Sequence, residues 1–227
     1  MEEDMNLSKL PSSAFVDPSG INSTIVEELA QRVLNLILCH LQHARDRAPL
    51  PEGAQLPQLL GIPESPISED MLLAQLESIL AYSMNPAHPA FIGHMDSMPT
   101  TMSFLGEMIS VAINNNMLSF EMSPSLSLLE SYLTKELAAL FGLGSQSGGV
   151  ILSGGTLANL QALAVARNVK LNALKQGVAG LQSVPILFTS DVAHTSIQKA
   201  AMLLGLGTSA VIPIRTNINS QMEIGEL

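Results

Sequence analysis

The sequence contains no tryptophan, two tyrosines and six phenylalanines among 227 residues, so aromatic side chains make up only 4% of it. A core must therefore rest on Leu, Ile, Val, Ala and the twelve methionines, whose unbranched thioethers fill irregular gaps. The single cysteine, Cys39, excludes an internal disulfide and a cysteine-rich zinc site, and it fits a reducing compartment. Basic residues are scarce too. Ten Lys and Arg face twenty Asp and Glu, for a formal net charge of -10. That charge repels polyanions and excludes nucleic acid or an anionic membrane surface as the main partner, so any bound anion must be held locally. No apolar run reaches the roughly 18 residues that span a bilayer. Glu2, Glu3 and Asp4 stand where an export signal would carry a basic start, and the expected location is cytoplasmic. What is present is apolar: 47% hydrophobic residues and a mean hydropathy of +0.32 supply a sizeable core and exclude disorder along the whole length.

The first 147 residues read as helices and connectors. Thr24 and Glu27 have capping-box spacing ahead of Ile25, Val26, Leu29, Val33, Leu36, Ile37 and Leu41, which predicts a helix to about His43. Five prolines and two glycines interrupt residues 48–66, an extended connector. Ser68 then caps a helix with Glu69 and Asp70 in its first turn, ended by Asn85-Pro86 and His88-Pro89. A third helix follows from Phe104 to Ile113. A fourth opens at Ser123-Pro124, with proline in the first helical position, and ends near Gly142 and Gly144.

From Gly148 the texture changes to strand and helix in alternation. Strands are predicted at 149–152, 185–189 and 210–214, with helices from Leu157 to about Leu174 and from about Ser196 to Leu204 between them. That order indicates an α/β fold with a parallel sheet and right-handed crossovers. Three parallel strands make a small, edge-exposed sheet, so this stretch is expected to be part of a larger fold.

Two segments can carry chemistry. Ser153-Gly154-Gly155-Thr156-Leu157-Ala158-Asn159 lies where a strand should meet the first turn of a helix. There, unpaired backbone N–H groups and the positive end of the helix dipole favour a phosphate, and the Thr156 hydroxyl can add a further bond. A tight strand-to-helix turn would use the same glycines for steric reasons alone. The segment lacks the Gly-Lys-Ser/Thr of a P-loop and the spacing of a dinucleotide fingerprint, which excludes those two classes. The second segment, Ser190-Asp191-Val192-Ala193-His194-Thr195-Ser196, falls at the carboxyl end of the next predicted strand, where open parallel sheets bind ligands. His194 can share a crevice with Thr156 there, or serve as a cap or a solvated side chain.

Together these stretches, Gly149-Val-Ile-Leu-Ser-Gly-Gly-Thr-Leu-Ala-Asn-Leu160 and Thr189-Ser-Asp-Val-Ala-His-Thr-Ser-Ile-Gln-Lys-Ala200, strongly resemble the group II pyridoxal-phosphate-dependent amino-acid decarboxylases. Asn85-Pro-Ala-His-Pro-Ala-Phe91 resembles that family's substrate loop, and Phe120-Glu-Met-Ser-Pro124 with Leu129-Glu130 resembles the lead into its large domain. The resemblance covers roughly residues 20 to 227 in consistent order. It implies the first part of a fold type I, aspartate-aminotransferase-like large domain behind an N-terminal helical segment. The implied divisions are 1–84 for dimerisation, 85–147 for the substrate loop and connecting helices, and 148–227 for part of the cofactor-binding domain.

The resemblance further implies that Gly155 and Thr156 hold the phosphate of pyridoxal 5'-phosphate and that His194 stacks on its ring as the catalytic histidine. His88 and His94 become candidate contacts to an amino-acid substrate. It also implies a homodimer, or a complex with a C-terminal segment carrying the family's ring-nitrogen aspartate and its Schiff-base lysine after a histidine. The lysines here, Lys9, Lys135, Lys170, Lys175 and Lys199, include none that directly follows a histidine. The expected activity is decarboxylation of an amino acid to which this chain supplies phosphate clamp and ring cover. The alternative is a non-catalytic homologue that binds a phosphorylated ligand or pairs with an intact decarboxylase.

Overall fold

A computed structural model describes residues 10–51, 65–93, 95–183 and 185–227. The chain divides into two units, Met1–Ile113 and Asn114–Leu227, with the division falling inside the segment 85–147.

The first unit is helical. Helix α1 (Ser23–Gln42) packs on α2 (Glu69–Ala81), and Arg32 and Asp70 form an ion pair across them. Helix α2 starts as expected, with the Ser68 hydroxyl accepting the Met71 N–H at 3.3 Å and two carboxylates in the first turn. Helix α1 starts differently from the capping box expected of Thr24. Asn22 occupies the cap position without capping, because its amide is committed elsewhere. It accepts the Asp17 N–H at 2.9 Å and donates to the Ser12 and Phe15 carbonyls at 2.6 Å each, so it ties the preceding loop against the helix start. Most of the proline-rich connector lies outside the described residues. Its near end is held by Asn85, which is 2% exposed. The Asn85 amide donates to the Ala44 carbonyl at 2.7 Å and the Arg47 carbonyl at 3.2 Å, and its backbone N–H donates to the Pro49 carbonyl at 2.9 Å. Helix α3 (Thr101–Ile113) is capped by the Thr100 hydroxyl, which accepts the Ser103 N–H at 3.1 Å. It has no buried residue, and Met102, Met108, Ile109 and Val111 are all exposed.

The second unit holds α4 (Pro124–Leu140), α5 (Gly155–Leu171), the single turn α6 (Ala173–Gln176), strand β1 (Leu187–Ser190), α7 (Ser196–Leu203) and strand β2 (Val211–Ile214). The strands pair in parallel, from Leu187 opposite Val211 to Ser190 opposite Ile214, with α7 in the crossover. Helix α7 packs on α5 through small residues: Ala200 and Ala201 are buried with Leu204, which lets the two backbones approach closely. Arg167 of α5 donates to the Leu204 carbonyl at 3.0 Å and fastens the far end of that contact.

Two further expectations are corrected. The strand predicted at 149–152 is irregular chain, so the sheet of the described residues has two strands instead of three. A strand needs a ladder partner, and none of the described strands pairs with 149–152; the Ile151 N–H is taken instead by the Glu130 carboxylate at 2.8 Å. The helix expected to run to Leu174 stops at Leu171, because Asn172 adopts a left-handed conformation (φ 50°) that asparagine tolerates better than most residues.

Replacing Asn85 with Ala leaves two inward-facing carbonyls without their donor, and thermal or urea unfolding should show a loss of about 1–3 kcal/mol. A second expectation concerns pH. His40 is half-buried beside Arg47, and burial, followed by the nearby guanidinium, lowers its pKa from the ordinary imidazole value. The unfolded chain then takes up a proton more readily than the folded one. This contribution to stability is complete above the unfolded pKa of about 6.5 and is lost as pH falls through the lowered folded value. The melting temperature should drop between about pH 7 and pH 5, and His40→Gln should flatten that slope.

Candidate functional site

The approach to the site is built on α4. Glu130 holds the Ile151 N–H, and a Cβ on Gly149 would lie 3.4 Å from the Thr134 Cβ, so the chain passes tightly over this helix. It then turns into α5 at Gly154, whose φ of 148° is one that residues with a side chain rarely adopt. The first backbone bond of the helix runs from the Ala158 N–H to the Gly154 carbonyl at 3.0 Å. The N–H groups of Gly155, Thr156 and Leu157 precede it and keep their donors, next to the exposed Thr156 hydroxyl. A Cβ built on Gly154 or Gly155 meets nothing within 4 Å, so open space lies over these donors. Convergent N–H groups, a hydroxyl and the positive helix end fit a phosphate group.

His194 lies in the loop between β1 and α7, and it is joined to α5 by hydrogen bonds. Its Nδ1 is 2.9 Å from the Ser196 hydroxyl and accepts the Ser196 backbone N–H at 3.1 Å. The same hydroxyl accepts the Asn159 side-chain amide at 2.8 Å. Asn159 sits one turn along α5 from Gly155, so the anion cradle and the histidine share one framework. The loop is anchored at the strand ends, where the Asp191 N–H donates to the Ile214 carbonyl at 2.9 Å and the Thr216 hydroxyl donates to the Asp191 carboxylate at 2.7 Å.

Of the residues nominated from sequence, Gly155, Thr156 and His194 thus fall in the second unit. His88 belongs to the first unit, where its Nδ1 accepts the Ala90 N–H at 3.0 Å and closes a turn. His94 lies outside the described residues. Within the resembling segment ahead of α4, a backbone N–H and then the Ser119 hydroxyl hold the exposed Glu121 carboxyl below its ordinary pKa. Asn159 and Ser196 were not nominated. The signal for Ser196 was its position two residues after the histidine, within reach of the ring. Asn159 is a short amide on the face of α5 that meets α7, where the surrounding positions are apolar. Among the described residues there is no cluster of His, Cys, Asp or Glu that could hold a metal ion, and no helix long and apolar enough to cross a membrane.

Comparison with known proteins gives the chain's relatives. Human cysteine sulfinic acid decarboxylase is 31% identical over 157 residues, which are 68% of this chain and 31% of that protein. L-aspartate decarboxylase dtxS4 of Metarhizium robertsii is 32% identical over 165 residues, 70% of this chain and 32% of that one. The crystal structure of mouse CSAD superposes with a TM-score of 0.83 at 26% identity, covering 89% of this chain and 44% of that chain. The chain therefore spans about a third of the length of these curated relatives. Its fold is part of that of the type I pyridoxal-phosphate decarboxylases, as expected. The model of the pyridoxal-dependent decarboxylase conserved domain matches residues 52–226, a span that takes in both the α5 cradle and the His194 loop, and the chain belongs to that family.

Proposed function

We propose that this chain binds pyridoxal 5'-phosphate at the start of α5 and forms part of a decarboxylase for a short acidic amino acid. The observation that carries the reading is the shared framework of cradle and histidine: Gly155 and Thr156 on α5, His194 beside them, and the Asn159–Ser196 bonds between. Gly155, Thr156 and Leu157 N–H groups hold the phosphate, and the Thr156 hydroxyl donates a further charge-assisted bond. The imidazole plane of His194 covers the ring and orients the substrate carboxylate. When bound, the cofactor supplies an electron-withdrawing ring that takes up the electron pair released when the bond from Cα to the carboxylate breaks. The acidic substrate class is supported by the two relatives named for cysteine sulfinate and aspartate. His88 and His94 are the proposed contacts to its side chain; His88 has its Nδ1 engaged with Ala90 and offers Nε2.

The same reading assigns residues 1–84 to pairing with a second copy, 85–147 to the substrate loop and connecting helices, and 148–227 to the cofactor, in a cytoplasmic homodimer. In this reading turnover needs a lysine that follows a histidine, and none of the five here does.

Calorimetric titration tests the cradle. Pyridoxal 5'-phosphate should bind much more tightly than pyridoxal, and Thr156→Ala should weaken it by about 1.5–3 kcal/mol, about ten- to a hundredfold. Equal affinity for the two vitamers, or a Thr156→Ala variant that binds like the parent, would overturn the reading. Adding a family C-terminal segment should then release carbon dioxide from cysteine sulfinate or aspartate; binding without release would favour the non-catalytic homologue.

A further inference from the structure

Counting donors along the bonds from α5 to His194 fixes where the imidazole proton lies. The Asn159 amide donates to the Ser196 oxygen, so the hydroxyl's own proton is directed to its other neighbour, His194 Nδ1. The Ser196 backbone N–H points at the same Nδ1. Two donors converge on one ring nitrogen, which must therefore present its lone pair, and a neutral ring carries its proton on Nε2. Ser196 is 0% exposed, so water cannot replace either partner of its hydroxyl, while the ring of His194 reaches the surface.

We infer that Asn159, acting through Ser196, is a positioning residue that holds His194 in the Nε2–H tautomer and in one ring orientation, so that the histidine meets its ligand as a hydrogen-bond donor. The ligand this donor suits is a carboxylate or another anionic oxygen, and that clause rests on the reading proposed above. Because Asn159 lies one turn past Gly155 on the same helix, any shift of α5 that accompanies phosphate binding also moves the amide that orders the histidine. The alternative polarity, with Nδ1–H donating to Ser196, would direct two N–H donors at one another and turn an acceptor toward an anion.

The test is tautomer detection by two-bond proton–nitrogen spectra of the nitrogen-15-labelled chain, without cofactor, at about pH 8, above the ordinary imidazole pKa of about 6.5. His194→Gln assigns the signals. The parent should show the Nε2–H form. In Asn159→Asp the carboxylate only accepts, so the Ser196 hydroxyl turns its proton to Asp and Nδ1 loses a donor. The Nδ1–H form should then rise by about fivefold or more, the equivalent of one hydrogen bond. Asn159→Ala, which removes the donor without reversing polarity, should fall between the two and serves if the charged variant does not fold. A parent ring in the Nδ1–H form, or variants with the parental tautomer, would overturn the inference. This readout is independent of cofactor binding: a correct tautomer in a chain indifferent to pyridoxal 5'-phosphate would sink the proposed function and leave the positioning role standing. Vitamer discrimination with the wrong tautomer would do the reverse.

Discussion

The hydroxyl of Ser196 is the point on which the candidate site depends. It is buried, so it cannot exchange a lost partner for water, and its two neighbours come from different elements, Asn159 of α5 and His194 of the loop after β1. A buried hydroxyl held on both sides turns a loop histidine into part of the helix framework. The alanines of α7 let this happen. With Ala200 and Ala201 at the contact, α7 approaches α5 closely enough for a short amide to reach a serine. The parallel pairing of β1 and β2 then fixes the other end of the loop through Asp191 and Thr216.

Much of this was legible in the sequence, and most of the parts that were not share a cause. Helices α2, α3 and α4 lie where apolar spacing put them, because burial on one face repeats with the helix period. Ser68 caps as its position indicates, since a cap is local. Apart from the left-handed Asn172 that ends α5, the failures came where a residue's partner lies beyond its own turn of chain. The apolar run at 149–152 reads as strand, yet a strand is defined by a neighbour and the Ile151 N–H found Glu130, 21 residues earlier. Thr24 reads as a cap, but Asn22 had commitments to Ser12 and Phe15 that set where α1 begins. For the site, Gly155, Thr156 and His194 could be named because a helix start and a strand end are local features. Asn159 and Ser196 could not, because they are 37 residues apart and only the packing of α5 on α7 reveals that they meet.

Asparagine amides carry much of the long-range organisation in a chain with little aromatic content. Asn85 and Asn159 each join segments that are not neighbours in sequence, and Asn22 ties a loop to the helix that follows it, each with both shape and hydrogen-bond polarity. An amide is suited to this task in an acidic protein. It offers donors and an acceptor without adding to the net charge, so it can be buried against carbonyls at far lower desolvation cost than a carboxylate or an ammonium.

Helix α3 has a chemical consequence of its own. It turns Met102 and Met108 outward, next to the exposed Met95 and Met98 of the chain leading into it. Thioethers in that position are open to peroxide, and each sulfoxide formed would replace an apolar side-chain tip with a polar, chiral S=O. The apolar character of this face is therefore redox-sensitive and repairable by sulfoxide reductases, although the chain's lone thiol stands elsewhere, on α1.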